Sequence, residues 1–225
     1  MIARVDVVLL HSGVTDPGEW DAVRPLLEGE HGVVTPDLWQ SRPLVELVLD
    51  AIPRESAALV GTSFGGRGAL EAAAAAPDRV DAVVLINSNP FGWSDEVQAI
   101  GGQEVELFEA GRLDEAAAVM VRAWLVGPRR EESDVPAELR ERVFAMQRRA
   151  YALDAEPEPG ELDVANVRAP LLFIRGALDW PEVERAAAQF AGARRAVVEN
   201  AAHLPTLERP DDVARLILDF LAEQR

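Results

Sequence analysis

The chain has 225 residues, of which 48% are hydrophobic and 27% are charged, so it can bury a substantial core as one domain, with or without an insertion. Its net charge of −17 argues against a nucleic-acid partner, because binding to a phosphate backbone needs clustered cations. All 22 basic residues are arginine and cysteine is absent, which excludes lysine Schiff bases, the nucleotide P-loop, disulfides and thiolate metal sites.

The first element along the chain is an apolar strand predicted at 5–10. This short run and the residues before it are too brief for a secretory signal. No later stretch approaches the roughly twenty apolar residues that a membrane-spanning helix requires. We therefore expect a soluble, cytoplasmic protein that does not bind membranes. The sequence predicts no oligomeric state.

Six short apolar runs are predicted to form a mostly parallel sheet. Each run is continuous rather than alternating, which is typical of strands covered on both faces. The predicted strands are 5–10, 32–35, 57–61, 82–86, 171–175 and 195–199. Helical patterns lie between them at 19–27, 43–51, 64–76, 181–190 and 211–224. This alternation predicts an α/β fold with right-handed crossovers and helices on both sides of the sheet.

The interval between the fourth and fifth predicted strands breaks this alternation. Residues 91–166 contain no convincing strand, but they carry helical patterns at 103–110, 114–126 and 136–153. Such an interval is too long to be a loop of a compact domain. We expect a helical cap at 91–166 inserted into a core made of 1–90 and 167–225. Within the insertion, the charged run at 129–134 is expected to be a solvated connection.

Ser63 lies between the third predicted strand and the helix after it, flanked by Gly61 and Gly65. The pattern G-x-S-x-G at this place predicts a sharp turn that exposes the serine hydroxyl, with bare flanking positions because strand and helix pass very close together. Two other interpretations are an ordinary glycine turn and a dinucleotide-binding loop. The second lacks the G-x-G-x-x-G spacing and an acid at the end of the next strand.

A serine nucleophile needs a base, and the base needs a carboxylate that orients it. His203 follows the last predicted strand and Asp179 follows the fifth, so both belong at the same carboxyl edge of the sheet as Ser63. His31 precedes a strand and belongs at the opposite edge. The three histidines lack the HExxH spacing, so we predict no metal site. The predicted catalytic residues are Ser63, Asp179 and His203.

The order Ser, Asp, His is that of the α/β-hydrolase superfamily. The chain resembles this superfamily in five successive segments: LLHSGVTDPGEW, GTSFGG, PDRVDAVVLI, PLLFIRGALD and AAHLPTLERPDDVARLILDFL. The resemblance implies an oxyanion hole formed by the backbone N–H of Phe64 and that of Gly13, with Val14 as an alternative to Gly13. His11 is expected to shape this loop. The chain departs from the family in having Ser12 after His11 and in lacking two strands before the first one.

The resemblance implies a serine hydrolase that cleaves a small or medium carboxylic ester or lactone through an acyl-enzyme on Ser63, without a cofactor. The region of the nucleophile is similar to small esterases, enol-lactone hydrolases and cofactor-free haloperoxidases. Perhydrolase and carbon–carbon hydrolase chemistry use the same three residues and stay open, as does a non-catalytic ligand-binding receptor. The residues predicted to contact substrate are Phe91, Trp93, Trp124, Met146 and Trp180.

Overall fold

A parallel sheet forms the centre of the molecule, whose computed structural model describes residues 5–153 and 155–224. The strands are β1 (Asp6–Leu10), β2 (Gly32–Val34), β3 (Ala57–Thr62), β4 (Val80–Ile86), β5 (Leu171–Gly176) and β6 (Arg194–Val198). Their order across the sheet is β2-β1-β3-β4-β5-β6, and every neighbouring pair is parallel. The predicted six-stranded α/β sheet is confirmed.

Helices cover both faces of this sheet. They are α1 (Arg24–Glu28), α2 (Leu44–Asp50), α3 (Phe64–Ala75), α4 (Asp95–Glu109), α5 (Leu113–Met120), α6 (Ala137–Leu153), α7 (Pro181–Gln189), α8 (Pro205–Glu208) and α9 (Pro210–Glu223). Helices α1 and α9 pack on one face, and α2, α3 and α7 pack on the other. Among the described helices, none is both long and apolar enough to cross a bilayer.

Strand β1 shows why the strand sequences are apolar at most positions. Val7 and Leu9 enter the core on the α1–α9 face, while Val8 and Leu10 enter the core on the α2–α3–α7 face. All four side chains are fully buried. Because helices cover both faces of the sheet, the residues on each side of this strand, at 7–10, are apolar.

Two helices differ from their predicted bounds for identifiable reasons. The predicted helix 19–27 is divided into a 3₁₀ turn (Pro17–Trp20) and α1, because Pro25 cannot donate a hydrogen bond within a helix and lies in the first turn of α1. Helix α4 begins eight residues before the predicted 103–110. Ser94 caps it, and Gly101 and Gly102 in its middle lower the helix propensity that the prediction used.

Between β4 and β5 the described residues form helices. These are α4, α5, a π-helical stretch (Val121–Val126), a 3₁₀ turn (Glu132–Asp134), α6 and a second 3₁₀ turn (Val164–Asn166). Val121, Leu125 and Val126 of the π-helical stretch pack with Val14 from the loop after β1 and with Leu204 from the loop after β6. The π-helical stretch therefore lies against loops at the carboxyl edge of the sheet.

The prediction that residues 129–134 form a solvated connection is wrong for Arg130. Its side chain is only 10% exposed and lies 2.6 Å from the carboxylate of Glu208 in α8. The guanidinium also donates to the backbone oxygens of Leu125 and Val126. The ion pair ties this region to the segment that carries His203, since Glu208 also accepts a hydrogen bond from the backbone N–H of Ala202 at 2.8 Å.

Candidate active site

Ser63 lies at the turn between β3 and α3 in a conformation that few non-glycine residues adopt. Its φ is 51° and its ψ is −110°, which places it on the left-handed side of the Ramachandran map, where a side chain is strained. The backbone N–H of Ser63 donates to the oxygen of Ile86 at 2.8 Å. This hydrogen bond holds the turn against the end of β4.

The glycines around Ser63 are required by close packing. A Cβ atom on Gly61 would overlap the backbone of Gly65, and a Cβ atom on Gly65 would overlap the carbonyl of Leu10. Strand β3, helix α3 and the end of β1 therefore approach within backbone contact at this turn. This geometry is the one that the G-x-S-x-G pattern predicts for an exposed nucleophile.

His203 and Asp179 form a buried pair at the same edge of the sheet. Nδ1 of His203 lies 3.0 and 2.9 Å from the two carboxylate oxygens of Asp179, and both side chains are almost fully buried. A carboxylate accepts hydrogen bonds, so Nδ1 carries the proton and Nε2 is free to act as a base. Nε2 makes no hydrogen bond to any described residue, the hydroxyl of Ser63 included.

Asn87 ties the turn of Ser63 to the loop of His203. It directly follows Ile86, whose oxygen accepts the Ser63 N–H. Its side-chain Nδ2 donates to the backbone oxygens of Ala202 and His203, both at 2.9 Å, and its Oδ1 accepts the N–H of Gly176 at 2.9 Å. The sequence analysis missed this role, although a polar residue directly after the apolar strand β4 was a usable signal.

Gly13 and Phe64 lie next to each other, as an oxyanion hole requires. A Cβ atom on Gly13 would be 3.5 Å from Cβ of Phe64. The N–H of Val14 donates to Oγ of Ser12 at 3.3 Å, whereas the N–H of Gly13 has no hydrogen-bond partner among the described residues. This difference favours Gly13 over Val14 as the donor from this loop.

His11 is enclosed beneath this loop. Its Nδ1 lies 2.9 Å from the oxygen of Ser12, and its Nε2 accepts the backbone N–H of Leu38 at 2.9 Å. Both ring nitrogens are therefore occupied by backbone groups, and the side chain is 1% exposed. This arrangement is the one expected of a side chain that shapes the loop.

Glu19, which the sequence analysis did not single out, connects this loop to the segment after His203. Its carboxylate is fully buried. One oxygen accepts the backbone N–H of Ser12 at 2.8 Å and the hydroxyl of Thr15 at 2.5 Å. The other accepts the hydroxyl of Thr206 in α8 at 2.8 Å. No sequence spacing indicates this cluster, because Thr206 is distant along the chain.

We expect Glu19→Gln to lower kcat for an ester by about tenfold with a smaller change in KM, since charge-assisted hydrogen bonds are each worth about 1.5–3 kcal/mol. The loop that carries Gly13 would lose part of its support. Steady-state kinetics and a thermal melt check this result. Thr206→Val, which removes one of the three hydrogen bonds, should have a smaller effect. An unchanged kcat in folded Glu19→Gln protein would show that the carboxylate does not position the loop.

Three of the five predicted substrate contacts cluster near His203. The rings of Trp93 and Trp124 lie 6.1 and 4.5 Å from the imidazole, measured between centroids. Trp180 packs against Trp124 with 6.5 Å between centroids, and its Nε1 donates to the oxygen of Ala123 at 3.1 Å. Trp124 belongs to the π-helical stretch, a distortion that often occurs at functional sites.

The other two predicted contacts lie elsewhere. Phe91 is 43% exposed and packs against Phe190, with 5.3 Å between ring centroids. Met146 is buried, with its terminal methyl beside Gly18. The helical spacing of apolar residues in α6 indicates which side is buried, but it does not tell a pocket from a core.

A cavity of about 390 Å³ opens beside Gly13 and Phe64. None of the five predicted contacts is among the described residues that line it. Its lining is mostly apolar and aromatic, with a polar group of side chains from α4 and α6. The lining includes Gly13, Trp39, Phe64, Glu104, Val105, Phe108, Met120, Gln147, Ala150, Tyr151, Ala155, Glu156, Pro157 and Pro159.

Comparisons with known proteins agree with this fold. A sequence model described as the alpha/beta hydrolase family matches residues 7–216. A pimeloyl-[acyl-carrier protein] methyl ester esterase of Aromatoleum aromaticum is 30% identical, over 97% of this chain and 98% of the relative. The fold is shared with a thermophilic esterase from Thermogutta terrifontis, at a TM-score of 0.80 and 21% identity over 99% of this chain and 91% of that one.

A second solved structure with the same fold is the enol-lactonase of Burkholderia xenovorans. Its TM-score is 0.76 and its identity is 22%, over 98% of this chain and 92% of that one. The match to the family covers nearly the whole chain, including the elements that carry Ser63, Asp179 and His203. The chain belongs to the α/β-hydrolase family.

Proposed function

We propose that the protein hydrolyses a carboxylic ester or lactone through an acyl-enzyme on Ser63. The observation that carries this proposal is the buried pair in which Asp179 holds Nδ1 of His203 and leaves Nε2 without a partner among the described residues. The strained turn of Ser63 supports it, because such a turn presents a hydroxyl rather than burying it.

In the first half of the reaction, Nε2 of His203 takes the proton of Ser63 as the hydroxyl oxygen attacks the ester carbonyl. Asp179 keeps the imidazole in the required tautomer and stabilises its cationic form. Negative charge develops on the carbonyl oxygen, and the N–H groups of Gly13 and Phe64 bind this oxyanion. Each such donor is worth on the order of 10²–10³ in rate. The alcohol leaves after it takes the proton from His203.

In the second half, water attacks the acyl-enzyme and gives a proton to His203. The tetrahedral intermediate then collapses, and Ser63 recovers its proton as the carboxylic acid is released. Residues 91–166 act as a cap in this proposal. Support for this comes from the packing of the π-helical stretch against the loops that carry Val14 and Leu204.

A panel of neutral p-nitrophenyl esters from acetate to octanoate, with a set of lactones, tests the proposal. The cavity beside Gly13 and Phe64 is largely apolar, so we expect measurable turnover with a maximum at short to medium acyl length. Peroxide-dependent bromination in acetate tests for perhydrolase activity, and cleavage of a vinylogous diketone tests for carbon–carbon hydrolase activity. Turnover of either of these without any ester or lactone cleavage would contradict the proposal, and so would a protein that turns over none of them.

A further inference from the structure

The cavity beside Gly13 and Phe64 ends in a carboxylate that has no cationic partner. Glu104 of α4 lines this end together with Gln147 and Tyr151 of α6. None of the described lining residues is an arginine, and the chain contains no lysine. Glu104 forms no ion pair within the described part of the chain. This end of the cavity is therefore acidic, although most of the lining is apolar.

The hydrogen bonds of Glu104 leave one of its oxygens free. Oε1 accepts the hydroxyl of Tyr151 at 2.7 Å and the side-chain amide of Gln147 at 3.3 Å. Both donors act on the same oxygen, and Oε2 receives no hydrogen bond from any described residue. A carboxylate has about four sites for accepting hydrogen bonds. Glu104 therefore keeps capacity for a donor that arrives with a ligand.

Gln147 provides a second uncommitted acceptor. Its side chain is 2% exposed, yet it is among the residues that line the cavity. Its Oε1 has no hydrogen-bond partner in the described part of the chain. A buried carbonyl oxygen without a partner is unfavourable, and a donating ligand would relieve this cost.

The electrostatic environment favours positive charge at this place. Burial raises the pKa of Glu104; the hydrogen bond from Tyr151 opposes this shift, while the charge of Glu156 adds to it. Burial, together with the adjacent Glu104, also raises the pKa of Tyr151, while the hydrogen bond to Gln147 and the charge of Arg148 oppose this shift. A cation beside Glu104 would stabilise the ionised carboxylate. The walls include the rings of Trp39, Phe64 and Phe108, whose faces attract cations.

We propose that this end of the cavity binds the ammonium group of a cationic substrate, so that the enzyme prefers esters or lactones that carry a primary amine. This inference rests on the proposed function, because it takes the cavity beside the proposed oxyanion donors Gly13 and Phe64 as the place of the acyl chain. Ser63 is not among the described lining residues, and it adjoins the cavity through Phe64, the next residue along the chain. An ammonium group offers three donors to the free oxygens of Glu104 and Gln147. A substrate with a carboxylate at the same distance from the ester would be repelled by Glu104 and Glu156.

Four p-nitrophenyl esters of matched length test the proposal: the ε-aminocaproate, the ε-hydroxycaproate, the heptanoate and the hydrogen adipate. We expect kcat/KM to be about tenfold higher for the amino ester than for the heptanoate, which is the size of one charge-assisted hydrogen bond, and lowest for the adipate. Glu104→Gln should bring the amino-to-heptanoate ratio close to one. Glu106→Gln, a substitution at an exposed position two residues after Glu104 in α4, should leave the ratio unchanged.

Three results would overturn the proposal. They are equal kcat/KM for the amino ester and the heptanoate, equal kcat/KM for the amino and hydroxy esters, and a preference that survives Glu104→Gln. The second result would show that the site recognises hydrogen-bond donors in general rather than charge.

Binding measured without turnover separates this proposal from the proposed function. Calorimetric titration of Ser63→Ala protein with hexylammonium should show binding that weakens about tenfold when Glu104→Gln is added, whereas hexanol should bind both proteins equally. If no ester is cleaved but hexylammonium binds in this way, the ammonium-binding site is supported and the proposed function fails. If the heptanoate is cleaved but hexylammonium does not bind, the ammonium-binding site is contradicted and the proposed function is supported.

Discussion

Replacing Ser63 with alanine is expected to lower kcat/KM for p-nitrophenyl butyrate by about 10⁴-fold or more, because the proposed mechanism forms the acyl-enzyme on the hydroxyl of this residue. The strained φ of 51° at this position costs a similar free energy with either residue, since both carry a Cβ atom. The variant should therefore fold normally, with a thermal midpoint within a few degrees of the parent.

Ser41→Ala is the matched control for this substitution, since Ser41 is exposed and lies far along the chain from the turn of Ser63. Its kinetics should equal those of the parent. If folded Ser63→Ala protein hydrolysed the ester at the parental rate, the nucleophile would have to be a different residue.

Asp179→Asn is expected to lower kcat by about 10³–10⁴-fold with little change in KM. Both oxygens of Asp179 lie within 3.0 Å of Nδ1 of His203, and Oδ1 also accepts the N–H of Trp180 at 2.8 Å. With Oδ1 held by that N–H, the asparagine amide would point its NH₂ group at Nδ1. The imidazole would then place its proton on Nε2, which could no longer act as a base.

Asp163→Asn serves as the control, because Asp163 is the acidic residue that precedes β5 instead of following it. Steady-state kinetics of both variants, with circular dichroism to verify folding, make the comparison. A large loss in Asp163→Asn together with parental activity in Asp179→Asn would exclude Asp179 as the residue that orients His203.

Much of the fold could be predicted because the sheet is covered on both faces. The runs that became β1 to β5 are mostly apolar, whereas β6 begins with Arg194 and Arg195. The predicted strands agree with the observed ones to within two residues at each end. Once the strands are parallel, the residues that follow them must meet at one edge. This rule places Ser63, Asp179 and His203 at the same edge without any knowledge of side-chain contacts.

What could not be predicted depends on contacts between residues that are distant along the chain. Glu19 accepts hydrogen bonds from Ser12 and Thr206, and Arg130 forms a buried ion pair with Glu208. In the sequence these side chains are indistinguishable from ordinary surface charges. Glu19 becomes buried where its 3₁₀ turn meets α8, and Arg130 becomes buried where the segment between β4 and β5 packs on α8.

The cavity beside Gly13 and Phe64 shows the same limit. Trp93, which follows β4, and Trp124, from the predicted cap, were expected to contact substrate, and both rings lie beside His203. The cavity near Gly13, however, is lined by Glu104 and Tyr151 from α4 and α6. Which side of those helices meets the cavity depends on how they pack, and the periodicity of apolar residues does not contain that information.

A fluorophosphonate probe followed by peptide mass spectrometry tests the central claim most directly, since it reports a serine made nucleophilic by its surroundings and identifies its position. We expect one adduct per chain, located on Ser63, and almost no labelling when His203 is replaced by alanine. An unlabelled parent protein, or an adduct on a different residue, would contradict the claim that the hydroxyl of this turn is activated by the buried imidazole and its carboxylate.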